Sequence, residues 1–284
     1  MVLRANGVDP VTESLMQWIQ QQAEERREDY DLTRRYYGGE HDTAITDRLK
    51  KFLPPRMTFR DNYMNVVVDS LAERFKVIGF DTDNEDFGEW AWNLWQKNRM
   101  DYTQVVVHTE TVMLGDSYLL CDWDEKNQRP RWTHQMPEMI IPHYDEVNRN
   151  IDWVSKKWIQ HPNIGDDPET RLNIYYPDRV EKYVARRGVW AKHQDEEDAE
   201  WPVPWLDKSG EPLGVPIIHF RNRPMGGDFG QSEILNVIPM QDLLNKTLID
   251  LTMILDTLAF PQRYTLNVNH NSSRLEIMPG SVAE

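Results

Sequence analysis

Four stretches of this chain hold residue types whose spacing invites a chemical reading. Gly226-Gly227-Asp228-Phe229-Gly230 is glycine-rich and stands before a helical pattern, the setting of a phosphate cradle. No Lys-Ser or Lys-Thr follows it, so the groups that would meet the terminal phosphates and their magnesium are missing. Gly230-Gln231-Ser232-Glu233-Ile234 places a serine at a strand-to-helix turn, but the second glycine of a nucleophile elbow is absent. Ser232 reads better as a helix N-cap, with Glu233 suited to the positive helix start. His134, His143 and His161 are scattered, and no two histidines stand at i, i+4 around a glutamate. Asp166-Asp167 and the run Asp195 to Asp198 could gather a cation, but solvated loops explain them more simply. No cofactor site is expected. A metal-dependent hydrolase, a nuclease or peptidase, stays as the alternative function. It would need converging carboxylates near a basic substrate surface, and no ordered run of residues supplies them.

The elements that would carry these residues are organised around Val215 to Phe260. Val215-Pro216-Ile217-Ile218-His219-Phe220 reads as a buried strand, the glycine turn follows, and the longest helical pattern runs from about Ser232 to Phe260. Pro239 predicts a kink near residues 235 to 239, or a main helix that begins at Pro239. Pro261 stops it. Val237, Met240, Leu243, Leu244, Leu248, Leu251, Ile254, Leu255 and Leu258 fill one broad arc of the wheel. Gln241, Asp242, Asn245, Lys246, Asp250, Thr252 and Asp256 fill the opposite arc, interrupted by Ile238, Ile249 and Met253. Apolar residues on both sides suggest more than one neighbour, and a helix buried in its own domain would show the same pattern. Gln241, Asn245, Lys246, Asp250 and Asp256 are the candidates to face a channel or an adjacent subunit. Leu244, Leu248, Leu251 and Leu255 are expected to supply packing.

The remainder reads as α+β. A helix from about Pro10 to Tyr37 buries Leu15, Trp18, Ile19, Ala23 and Tyr30, with Glu24 to Glu28 as a solvated, mixed-charge face. Gly38-Gly39 closes it. Pro54-Pro55 makes an extended break. Further helices are expected over residues 62 to 76, capped by Asp61, over 85 to 99, and from a cap at Asp101 to Gly115. After Gly115 the period changes to strands. Ser117 to Asp122, Arg131 to Thr133, Met139 to Pro142, Ile151 to Gln160, Leu172 to Tyr176, Arg179 to Ala185 and Val189 to His193 form a meander. Trp201, Pro202, Pro204 and Trp205 read as loop anchors.

Composition narrows the function classes. The 284 residues carry 32 basic and 47 acidic side chains, a net charge of −15, which opposes tight general binding to nucleic acid. Eleven tryptophans suit cores and subunit interfaces. Cys121 is the one cysteine, so an intrachain disulfide and a multi-cysteine metal site are excluded. No apolar run reaches membrane-spanning length and the N-terminus lacks the apolar segment of a signal peptide. The expectation is a soluble protein made in a reducing cytosol.

Several of these residues, in this order, resemble the portal proteins of tailed phages, in the group typified by long-tailed phages of Gram-positive hosts. They are the helix end Arg35-Tyr36-Tyr37-Gly38-Gly39, then Asn62 with Val67-Val68-Asp69, then Gly115-Asp116-Ser117-Tyr118. Val215 to Ile218, Phe220-Arg221-Asn222, Gly230-Gln231-Ser232-Glu233 and Gln241-Asp242-Leu243-Leu244-Asn245 follow. The resemblance covers about Val11 to Gly280. It implies a homo-oligomeric ring, usually of twelve subunits, at one capsid vertex of the virion. Double-stranded DNA would enter and leave through it without sequence-specific contacts, and an acidic lining would keep that DNA mobile. Implied partners are the major capsid protein and scaffold, the large terminase subunit as the separate ATPase, and a head-completion adaptor. Synthesis would be in the bacterial cytoplasm, with no membrane stage. Residues 1 to 230 would be wing, 231 to 260 the first stem helix, and 261 to 284 the start of the clip. Portal chains usually continue with a second stem helix, a tunnel loop, more wing and a crown. The expectation is therefore a truncated or split subunit, unless the assignment of the end is at fault.

Overall fold

The chain changes from helices to strands at Gly115, where the period of the sequence changes. In the computed structural model, which describes residues 10–41, 61–161, 167–195, 198 and 200–259, four helices come first. They are α1 (Pro10–Tyr37), α2 (Met64–Ala72), α3 (Glu85–Lys97) and α4 (Met100–Leu114). The strands follow: β1 (Asp116–Asp124), β2 (Arg129–Gln135), β3 (Ile140–Tyr144), β4 (Ile151–Gln160), β5 (Glu169–Tyr175), β6 (Arg179–Arg186), β7 (Val189–Lys192), β8 (Val203–Pro204) and β9 (Ile217–Arg221). The last described element is α5 (Ile238–Ala259). The class is α+β, as read from the sequence. Pro54-Pro55, Asp166 and the expected clip from Pro261 onward lie outside the described residues.

Compactness divides the described residues into two units, 10–40 with 62–238, and 41 and 61 with 239–259. In the first unit every strand pairing is antiparallel. One sheet has the order β2-β1-β9, and the other runs β3-β4-β5-β6-β7 with β8 on β6. The two sheets share a core of Tyr118, Leu120 and Ile217 with Ile140, Val154, Tyr175 and Val180. A second core sets Met16 and Ile19 of α1 on Ile141, Leu172, Ile174 and Tyr183. A third joins Tyr30 and Tyr36 to Met64, Val68, Val112, Met113 and Ile234. Each buried aliphatic side chain of this kind contributes roughly 1.5–3 kcal/mol. The helix α1 therefore serves two layers, its first half on strands and its second on helices.

Helix ends explain most departures from expectation. Asp61 does not cap α2: Tyr63 holds the cap position without a side-chain bond, and Asn62 just before it accepts from the Met64 amide at 3.0 Å. The helix stops at Ala72, short of the expected residue 76, because the next amides fold into tight turns and His108 holds the Phe75 carbonyl at 2.8 Å. Asp101 does not precede α4 but lies in its first turn, where it accepts from Trp95 Nε1 at 3.1 Å. The long helix begins at Ile238, with Pro239 in the first turn where an absent N–H costs no bond. Ser232 caps the short turn ahead of it, accepting from the Ile234 and Leu235 amides at 3.2 and 3.3 Å. Trp201 and Trp205 anchor their loops, donating to the carbonyls of Lys182 and Gly214.

Candidate functional site

The first unit is closed by a buried polar junction built on Asp116, the residue that follows the helix-ending Gly115. Its side chain is fully buried and both oxygens are used. Oδ1 accepts from His219 Nε2 at 2.8 Å and from the Gly230 amide at 2.7 Å. Oδ2 accepts from the Tyr30 hydroxyl at 2.9 Å and from the Arg26 guanidinium. Four segments thus meet on one carboxylate. Strand register delivers the histidine, because Tyr118 pairs with His219 across β1 and β9, and the two rings stack at 4.3 Å. The Tyr144 hydroxyl lies 2.7 Å from His219 Nδ1, so the neutral ring donates at Nε2 and accepts at Nδ1. Burial pushes the His219 imidazole below its ordinary range, and its bond to Asp116 only partly offsets this. Phe229 covers the junction, its ring centroid 3.9 Å from the Arg26 guanidinium carbon.

The backbone around the junction is as tightly set. Gly115 has φ +97°. A methyl on Gly230 would overlap the Gly115 carbonyl oxygen and crowd both polar backbone atoms of Asn222. The Asn222 amide donates to Gly115 O at 2.8 Å, and Gln231 N donates to Asn222 O at 2.7 Å. The Asn222 side chain bonds Gln231 O and Glu233 Oε1, while the Ser232 hydroxyl donates to Met113 O at 2.5 Å. The separate sequence pieces 115–118, 220–222 and 230–233 are one structural object. Tyr37 joins two others: its carbonyl accepts from Asn62 Nδ2 at 2.9 Å, and its hydroxyl donates to Asp69 at 2.8 Å. Arg26, expected on a solvated face with Glu24 to Glu28, is instead drawn inward by the Asp116 charge.

Ser232, weighed in the sequence as a possible nucleophile, and the described aspartates of the acidic run have other partners. The Ser232 hydroxyl is committed to Met113. Ser117 donates to the buried Glu110, which also takes Arg34 at 2.8 Å and His134 at 2.5 Å. The glutamate, not the histidine, stands beside the serine, and its carboxylate is already shared with Arg34 and His134, so the serine-histidine contact of a catalytic triad is not formed. Asp195 and Asp198 are both held at 2.7 Å by Lys182 Nζ, which fills the place of a cation. Burial, and secondarily Asp122, raises the Cys121 thiol to about 11, leaving it protonated and inert at neutral pH. Among the described residues no three His, Cys, Asp or Glu side chains form a metal-binding group. No described helix is long and apolar enough to cross a membrane.

The second unit holds α5, whose faces differ from the sequence expectation. Gln241 and Asn245 are 2% and 0% exposed and do not point outward. Gln241 Nε2 donates to the Asp61 carbonyl at 2.6 Å, and Asn245 Oδ1 accepts from the Asp61 amide at 3.1 Å. Asn245 Nδ2 reaches His41 Nδ1 at 2.8 Å. Two amides one turn apart thus clamp a single backbone residue, with Ile249 buried beside them. Lys246 and Asp250 are exposed on a flank, and the Asp256 side chain lies outside the described residues. The leucines are the outward set. Met240, Leu243, Leu244, Leu251, Ile254, Leu255 and Leu258 are exposed, and Leu248 is half-buried at their margin. At about 100° per residue the seven exposed side chains span roughly 120°, one uninterrupted stripe apart from Thr247.

A family model described as "Phage portal protein, SPP1 Gp6-like" matches residues 16–269, an interval that contains both the junction and the striped helix. The chain belongs to this phage portal family. Among similar proteins, the portal protein of Mycobacterium phage D29 is 25% identical over 217 residues, and that of Mycobacterium phage L5 is 26% identical over 216. Each match covers 72% of this chain, and the chain spans about two-fifths of the relatives' length, 41% in both cases. Three of the sequence pieces that carried the resemblance to portal proteins, 115–118, 220–222 and 230–233, meet at the junction. Of the residues that complete it, Tyr30 was read only as part of the buried face of the first helix, and Arg26 and His219 were not singled out. Their signals were a histidine inside an apolar strand, and Arg26 with Tyr30 one turn apart on the first helix.

Proposed function

We propose that the chain is the subunit of a closed homo-oligomeric portal ring at one capsid vertex, the channel through which double-stranded DNA is packaged and ejected. The observation that carries this reading is the exposed apolar stripe of α5. Seven large apolar side chains in water on one helix face are what a subunit leaves open for its neighbours. Wing residues would run to Gly230, the stem helix from Gln231 to Phe260, and the clip from Pro261. Leu244, Leu251 and Leu255 would meet adjacent subunits, with Leu248 at the edge of that contact. Lys246, Asp250 and Asp256 would be left for the channel or for pairing between subunits. The acidic balance suits a conduit that must not grip DNA. Transport energy would come from the large terminase subunit. A head-completion adaptor would replace it, and capsid protein and scaffold would surround the wing. The ring would be part of the virion after assembly in the host cytoplasm.

Electron micrographs of the full-length phage protein should show closed rings in axial view, usually of twelve subunits. A monodisperse monomer across concentrations would sink the proposal. Purified protein should show no ATPase or nuclease turnover; metal-dependent turnover lost on changing one carboxylate would favour the hydrolase reading instead.

A further inference from the structure

The helix α3 has an aromatic side with no described neighbour. Its inner side is fastened: Trp92 stacks on Trp95 at 6.2 Å, Phe80 meets them at 6.1 and 5.7 Å, and Trp95 touches Trp132 at 6.4 Å. On the outer side Phe87 and Trp90, one turn apart, stack at 5.5 Å and stay 53% and 55% exposed. Asp81, Asp83, Glu85, Asp86 and Glu89 stand in the same stretch of chain as this pair, all exposed, with no Lys or Arg between Asp81 and Trp90. Among the described residues none of the five carboxylates enters an ion pair. Glu85 and Asp86 complement the helix start, but Asp81, Asp83 and Glu89 lie outside that first turn.

We propose that this face docks a cationic, arginine-bearing segment of a partner protein. A guanidinium is flat and weakly hydrated, so it can lie on an indole or phenyl face while donating to carboxylates at the ring edge. Lysine matches only the charge. The same carboxylates repel nucleic acid and anionic lipid. The face shares no residue with the α5 stripe, so its failure would leave the ring proposal untouched.

The test is fluorescence anisotropy of labelled hexa-arginine and hexa-lysine peptides with the whole protein at physiological salt. Hexa-arginine should bind about fivefold tighter than hexa-lysine. Trp90→Ala should remove that preference. Asp83→Asn with Glu89→Gln, which alters only exposed side chains, should weaken both peptides about tenfold. Glu146→Gln with Glu211→Gln removes the same charge elsewhere and should change neither. Circular dichroism checks that each variant folds. If the two charge pairs weaken binding equally, or arginine holds no advantage, the attraction is general and the proposal fails. It fails also if duplex DNA competes for the site, or if Trp90→Ala abolishes self-association instead, which would make the face a contact between copies.

Discussion

The Asp116 junction and the α5 helix handle polarity in opposite ways. At the junction, charged and polar groups are buried and every bond on the central carboxylate is made within the chain. On α5, the polar amides are also satisfied within the chain, but the apolar side is left in water. The first region satisfies its own groups, and the second leaves its apolar side exposed. A fully paired buried charge is tolerated because its partners replace water, whereas an exposed leucine stripe has no such internal remedy. Damage to the first region should therefore act on folding, and damage to the second on assembly.

The largest expected effect comes from breaking the junction. Asp116→Ala strands Arg26, Tyr30, His219 and the Gly230 amide without their shared acceptor, and should cost about 3–5 kcal/mol. Urea unfolding of the first unit measures it. Gly230→Ala should be as severe, since its methyl would overlap the Gly115 carbonyl and fixed backbone cannot move aside. Wild-type stability in either variant would mean that the four segments do not meet as described. Leu251→Asp with Leu255→Asp should do the reverse, leaving unfolding of the single chain within about 0.5 kcal/mol while rings disappear from micrographs. Lys246→Ala on the exposed flank should leave ring yield intact. Rings lost with Lys246→Ala and kept with the double leucine change would invert the assignment of the two faces.

How much of this was legible in the sequence differs between the same two regions. Period and breakers located the helices and the strand meander, and offered Pro239 as one of two readings of the long helix, which begins at Ile238, because each depends on residues close in the chain. The order of glycine, asparagine and serine pieces pointed to the family before any contact was known. The orientation of α5 was not legible. A helical wheel shows two arcs but not which one finds partners, and Gln241 and Asn245 bury well only because the Asp61 backbone lies against them. Arg26 escaped notice for a related reason. Within Glu24 to Glu28 it looks like any solvated charge, and its partner Asp116 stands 90 residues away.

Two smaller effects sharpen the comparison. Asn245→Ala removes the side-chain acceptor of the Asp61 amide and the amide that meets His41, and should cost about 1–3 kcal/mol, read as faster hydrogen exchange along α5. Exchange accelerated in the first unit instead would show that the units share one cooperative transition. Acid should act on the junction through His219. Its folded value lies below the ordinary imidazole range, so the unfolded chain takes up that proton at higher pH than the folded chain. Stability should be complete above about pH 6.5 and decline as pH falls from there toward the depressed value. His219→Gln should flatten that slope in urea titrations between pH 7 and 5, at some loss of stability throughout. An unchanged slope would assign the acid sensitivity to other groups.

The span of the junction also has a bearing on how the protein is made. Gly230 and Asp116 are 114 residues apart, and His219 and Asp116 are 103 apart. While β1 leaves the ribosome, its first carboxylate has Arg26 and Tyr30 to pair with but neither the strand nor the amide that completes its shell. The helices and the meander can form early from neighbours in the chain, but closure waits for the strand at 217–221 and the glycine turn after it. A nascent chain arrested anywhere before Gly230 should remain protease-sensitive and in need of chaperones, and protection should arrive abruptly once that turn has emerged.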